Sequence, residues 1–448
     1  MWSTNGVNMN PEPLFSDPLK VHPLRQALND EIHARPPLPL VTPALVSFLA
    51  CTRSTHTPAD ERAHLVALPG VPSLGERLDS DTPHWIGAFE TFSLKWEQHG
   101  EFSTYTFFRT PTAAPESGET ALDTVPADWL SALPGDVLVA THIELLSAEG
   151  LDIQALIEAR ISTHEGTQII SRIAGEAAWL LSDLRIHEGF SRFTVIDESM
   201  GFLRTRRIIQ RILEIETYRI MALLAFPVAK SVGRLLSRAE AELAGLIDRT
   251  VAAAGPGDER AILADLTRLA AEVERSVANT SFRFGASAAY YRLVQQRIGE
   301  LKETRISGYP TIQGFMERRL APALNTCAAT ARRQDELSAR IARTSQLLRT
   351  RVDIELEHQN QSLLSQMNRR AHLQLRLQET VEGLSVVVLT YYGSQLVQYL
   401  AKGTKDWHHF STDVITALSI PVIAGLVFWG SRRIRRKLAH TESASPEQ

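Results

Sequence analysis

Between Ala323 and Glu382 the sequence contains neither glycine nor proline, the two residues that most readily end a helix. A helix rises ~1.5 Å per residue, so this stretch predicts a rod of roughly 90 Å. Its apolar residues fall at Leu337, Ile341, Leu348, Val352, Leu356, Leu363 and Met367. The pairs 337/348, 341/352, 352/363 and 356/367 share a spacing of eleven, a period that keeps one stripe on a nearly straight helix. Such a stripe needs a cover: either the preceding helices folded back on it, or copies of itself. A stalk helix over 331–383 and a homo-oligomer are therefore expected.

The stalk runs into a membrane signal. Leu384–Leu400 (LSVVVLTYYGSQLVQYL) is apolar with polar interruptions, and Val414–Gly430 (VITALSIPVIAGLVFWG) is cleanly apolar. Each just reaches the length needed to cross a hydrocarbon core of ~30 Å. Arg369, Arg370 and Arg376 precede the first segment. Arg432, Arg433, Arg435, Arg436 and Lys437 follow the second, while the connecting loop holds only Lys402 and Lys405. By the positive-inside rule this predicts a two-helix transmembrane hairpin over 384–430, with the N-terminal domains and the basic tail (431–448) both cytoplasmic. The lipid bilayer is thus the first partner implied.

Charge and cysteine usage narrow the remaining classes. A net charge of −4 and a pI near 6.4 exclude a bulk nucleic-acid binder. Cys51 and Cys327 stand far apart with no CxxC pair, so neither a zinc site nor a disulfide framework is read. No charged n-region followed by an apolar h-region opens the sequence.

In chain order, residues 1–20 are a Pro-rich polar arm. His22–Ala34 reads as a short helix stopped by Pro36 and Pro37. Strands are expected at Pro43–Thr52, within Ile86–Gln98 and at Phe102–Phe108, the last two joined as a hairpin through His99-Gly100-Glu101. Further strands are expected at Val137–Leu146, Gln168–Ile173, Ala178–Leu184 and Arg192–Ile196. Residues 21–198 are therefore an α+β domain around a mixed or antiparallel sheet. Residues 199–330 read as helices over 200–229, 231–254, 258–281 and 287–305, divided by Pro227, Gly255-Pro256-Gly257 and Gly285. Ile220–Ala229 is apolar but short, hence packed core.

Five stretches carry a resemblance: LNDEIHARP (28–36), KWEQHGEFSTYTF (95–107), ETYRIMALLAFPVA (216–229), LLRTRVDIELEHQNQSLLSQMNRR (347–370) and LQLRLQETVEGLSVV (373–387). They are similar to a family of uncharacterised bacterial membrane-anchored proteins, a domain of unknown function, and the match covers nearly the whole chain. It implies an anchor in the bacterial inner membrane and no assigned activity. In layout alone, residues 330–438 also resemble CorA-type magnesium channels, with a long stalk, two C-terminal spans and a basic tail. Where that family carries Gly-Met-Asn after tyrosine, this sequence has Tyr392-Gly393-Ser394-Gln395 in mid-segment.

Several constellations can carry chemistry. Tyr391, Gln395, Gln398 and Lys402 share one helical face, either a pore lining or an inter-helix hydrogen-bonding stripe. Thr412, Thr416 and Ser419 give the second span a similar stripe. Asp406-Trp407-His408-His409 is read as a wet interfacial loop. Glu97, His99 and Glu101 alternate at period two, so an extended backbone gathers them as a metal or acid–base cluster, whereas Gly100 favours plain turn polarity. Glu31, His33 and Arg35 suit a helix-end ion pair. Arg204, Arg206, Arg207 and Arg211 form a basic helical run.

GxSxG, GxxxxGK[ST], HExxH and dinucleotide-binding glycine fingerprints are missing, so no enzyme and no cofactor are expected. Two functions lead, with a membrane-bound enzyme using the Glu31/His33 or Glu97/His99 region third. One is a CorA-like ion-transport or ion-responsive protein, with a divalent cation such as magnesium. The other is a membrane-tethered oligomeric scaffold or partner-binding protein without transport.

Overall fold

The computed structural model describes residues 22–26, 28–29, 38–53, 56–70, 83–111, 118–163, 166–253, 255–403 and 412–442. The protein is α+β. Its strands are β1 (Ala44–Thr52), β2 (His84–Ala88), β3 (Ser93–Gln98), β4 (Phe102–Arg109), β5 (Val137–Ser147), β6 (Ile169–Ile173), β7 (Ala178–His187), β8 (Phe190–Asp197) and β9 (Thr304–Arg305). They form one sheet in the order β2-β3-β4-β1-β5-β8-β7-β6-β9. Its neighbouring pairs are antiparallel except β5/β8, which run parallel. The helices are α1 (Pro58–Val66), α2 (Ala127–Ser131), α3 (Ile153–Thr163), α4 (Phe202–Leu223), α5 (Ala225–Ala252), α6 (Pro256–Leu301), α7 (Ile312–Gly403) and α8 (Thr412–Glu442).

Alternation gives the sheet two buried faces. On one, Val46, Phe48, Phe102, Phe108 and Ile143 join Ile208, Ile212 and Leu213 of α4, Val294 and Ile298 of α6, and Ile312 and Met316 of α7. On the other, Leu94, Trp96, Tyr105 and Phe107 pack with Leu65 and Trp129. The Phe92/Leu94/Trp96 face expected from alternation is buried. The single strand expected over 86–98 is two strands, β2 and β3, parted at 89–92.

The helical boundaries differ from the sequence expectation for identifiable reasons. Gly285 does not divide α6, because one glycine inside a helix costs only about 1 kcal/mol and α6 is buried along its length at Leu266, Leu269, Val273 and Val294. Pro227 lies in the first turn of α5, where its missing N–H has no helical partner to lose. The break falls instead at Leu224.

The chain divides into two units, Met1–Val251 with Ala264–Thr344, and Ala252–Leu263 with Ser345–Gln448. In the first, the stripe of α7 is covered: Leu337 and Ile341 are buried, and Arg333 pairs with Glu240 at 2.6 Å. In the second, Leu348 and Val352 are buried and Arg351 pairs with Glu259 at 2.7 Å. From Asp353 to Gly383 every described side chain is exposed.

Candidate functional site

A cleft lies between the sheet and α4. The hairpin β3–β4 supplies one wall. Its register sets Lys95 opposite Thr106 and Glu97 opposite Thr104, so four polar side chains share the face that elsewhere carries Phe48 and Phe102. Rather more than two turns of α4 supply the other wall with Gln210, Leu213, Glu214, Thr217 and Tyr218, and Leu38 also lines the cleft. Lys95 is 2% exposed. Its Nζ lies 2.9 Å from Glu97 Oε2, and among the described residues that carboxylate is its ion-pair partner. Across the cleft Glu214 accepts from Gln210 at 2.9 Å and is paired with Arg297. Each carboxylate of the cleft is thus matched by one cation.

Glu97, His99 and Glu101 do not gather into one cluster. Glu97 turns into the cleft, and His99 lines it while stacking on Phe102 with ring centroids 4.5 Å apart. Glu101, at the hairpin tip, accepts from the Tyr290 hydroxyl at 3.0 Å and pairs with Arg283. Burial, reinforced by that hydrogen bond, pushes the Tyr290 phenol up. The hairpin turn bends the backbone between His99 and Glu101, with His99 N–H donating to Phe102 O at 2.9 Å. This breaks the extended geometry that period-two alternation assumes. Among the described residues no group of three His, Cys, Asp or Glu is placed to hold a metal ion. Glu31, His33 and Arg35 lie outside the described residues, as does the loop Asp406-Trp407-His408-His409.

Sequence reasoning missed Lys95, Thr104, Thr106, Gln210, Glu214, Thr217 and Tyr218. Lys95 was legible in part, since it shares the period-two face of Glu97. The α4 residues were not, because only the tertiary fold brings 210–218 over 95–106. The basic run separates likewise: Arg211 pairs with Glu300 at 2.7 Å and Arg206 donates to Leu38 O, while Arg204 reaches Ala174 O at 3.3 Å.

In the second unit the end of α7 meets α8. A Cβ at Gly393 would stand 3.0 Å from Ile423 Cγ2, and Ser394 and Ala401 are buried on the same side. Tyr391 and Lys402 are exposed, while Gln395 and Gln398 are half-buried. The polar stripe therefore runs along the flank of the face that meets α8, not toward it. Elsewhere both helices turn apolar side chains outward, among them Leu384, Val387, Leu396, Leu418, Val422, Leu426 and Trp429.

Two helical stretches are long and apolar enough to cross a membrane: Phe202–Ala252 and Asp413–Arg433. Met221, Ala222, Ala225 and Ala229 of the former are buried in the first unit, as expected for Ile220–Ala229. None of the most apolar part of the latter is buried. The segment 384–400 is not among them, because Gln395, Gln398 and its tyrosines lower its hydropathy.

A family model described as a protein of unknown function, DUF3422, matches residues 20–438. The chain belongs to the DUF3422 family. No curated protein and no solved structure matches it, so the CorA likeness in layout has no support from a solved structure. In this DUF3422 protein two of the stretches that carry the resemblance, 95–107 and 216–229, meet across the cleft.

Proposed function

We propose that this DUF3422 chain is a membrane-tethered, self-associating protein of the bacterial inner membrane. Its C-terminal hairpin serves as anchor, with both outer flanks cytoplasmic, and its head binds a partner or ligand rather than conducting ions. The observation that carries the reading is the outward-facing apolar surface of residues 384–433, which the described residues of its unit leave uncovered. In water such a surface is unfavourable, whereas in lipid it is solvated. Self-association is supported by the exposed helix 353–383. A helix without tertiary packing is marginal in water, and copies anchored in one membrane lie parallel, with Leu363 and Met367 presented to one another.

The full-length protein is expected to stay with membranes through an alkaline carbonate wash. Val422→Arg combined with Leu426→Arg is expected to release it, since each charge at the centre of a span costs about 2.5–3.5 kcal/mol. Release of the unaltered protein by carbonate would overturn the anchor.

A further inference from the structure

We infer that the cleft between the β3–β4 hairpin and α4 is a binding site for a small zwitterion of the amino-acid class. The ligand's carboxylate faces Lys95, and its ammonium lies between Glu97 and Glu214.

The argument begins at Lys95. An ammonium carries three N–H donors, and leaving donors of a buried charge unfilled is costly. Lys95 is 2% exposed, yet among the described residues one carboxylate is its ion-pair partner. Its surroundings are a cleft wall, not packed hydrocarbon. An oxygen-bearing ligand group in the cleft completes the shell that the described residues leave open.

The sign of the ligand follows from the charge balance. Glu97 is matched by Lys95, and Glu214 by Arg297. A purely anionic ligand would add an unmatched negative charge beside Glu97, and a purely cationic one an unmatched positive charge beside Lys95. Either is expensive in a partly desolvated site. A zwitterion engages Lys95 with its carboxylate and the carboxylates with its ammonium, and leaves the balance unchanged. A divalent cation is disfavoured for the same reason, since Lys95 stands at the only carboxylate on the β3 wall.

The rest of the lining suits that class. Phe48, Phe102 and Leu213 offer an apolar patch for a side chain, and the Thr104 and Thr106 hydroxyls flank the charged end.

The test uses the full-length protein in detergent micelles. Thermal unfolding is followed with each proteinogenic L-amino acid added singly at about 10 mM, some tenfold above a millimolar dissociation constant. At least one is expected to raise the midpoint. For that amino acid, calorimetric titration is repeated with its deamino acid and its decarboxylated amine. Each analogue is expected to bind at least about tenfold more weakly, as loss of a charge-assisted hydrogen bond predicts.

Lys95→Met is expected to abolish binding. Because that substitution alters a buried pair, Gln210→Trp provides the second variant. Its ring enters the cleft from the half-buried surface of α4, so the thermal midpoint should be kept while binding is lost. No stabilisation by any amino acid overturns the inference. So does binding that survives Gln210→Trp, or a deamino acid that binds as tightly as its parent.

Discussion

His142 is the residue whose ionisation couples most clearly to folding. It lies on β5 opposite Ser47 of β1, with Nδ1 2.8 Å from the buried Ser47 Oγ and its ring stacked 3.9 Å from that of Phe190. Burial, reinforced by the positive charge of Arg192, pushes the imidazole down to about 4 from 6.5. The folded state therefore binds the proton less readily than the unfolded chain. Stability is complete above about pH 6.5 and is lost progressively as pH falls toward 4, by a few kcal/mol at most. Unfolding midpoints should drop between pH 7 and pH 4.5, and His142→Gln should flatten that dependence. An unchanged slope in the variant would assign it to other groups.

Glu61 makes a second test at this scale. The carboxylate is fully buried, 2.7 Å from His56 Nε2, accepting from Ser103 Oγ at 2.7 Å and 3.3 Å from Arg53 Nε. Glu61→Ala takes the buried acceptor from Ser103 Oγ and His56 Nε2 and the ion-pair partner from Arg53, and should cost about 3–5 kcal/mol, read as a lower urea midpoint.

Among the elements, α7 carries two different obligations along one stripe. Leu348 is 2% exposed, whereas Leu363 is 58% and Met367 66% exposed. Leu348→Asp should therefore destabilise folding, while Leu363→Asp with Met367→Asp should leave the fold intact and disperse the proposed oligomer. Light scattering of the detergent-solubilised protein separates the two. A unaltered protein that is monomeric under those conditions would remove self-association from the proposal. In α6, a Cβ at Gly285 meets nothing within 4 Å, so Gly285→Ala should stabilise by about 0.5–1 kcal/mol through helix propensity. At Gly393 the added Cβ would press on Ile423, and Gly393→Leu should loosen the hairpin.

At the scale of the whole molecule the membrane topology is open to direct measurement. On the proposed topology, Gly403→Cys should react with an impermeant thiol reagent from outside the membrane and Ser443→Cys should not, because the positive-inside rule assigns Arg432 and the basic residues after it to the cytoplasmic side. The two native cysteines are poor competitors. Both are buried, and burial beside Glu61 pushes the Cys51 thiol up to about 12, where little thiolate exists at neutral pH. Labelling of Ser443→Cys in intact cells would exclude the two-span arrangement.

The sequence by itself determined whatever rests on local periodicity and punctuation. Freedom from glycine and proline marked α7, and alternation marked β3–β4 and the buried Phe92/Leu94/Trp96 face. Clustered apolar residues followed by Arg432 and Arg433 marked the helix that is long and apolar enough to cross a membrane. These signals depend on neighbours a few positions apart.

The tertiary structure alone decided the rest. It set which half of the α7 stripe is covered, since Leu348 and Leu363 are equivalent as sequence. It left Glu97 and His99 on the cleft and turned Glu101 away to Tyr290 and Arg283, because a turn overrides strand alternation at His99-Gly100-Glu101. It also brought Gln210, Glu214, Thr217 and Tyr218 over Lys95. That juxtaposition is a matter of strand register and helix docking between segments more than a hundred residues apart, and no local pattern encodes it.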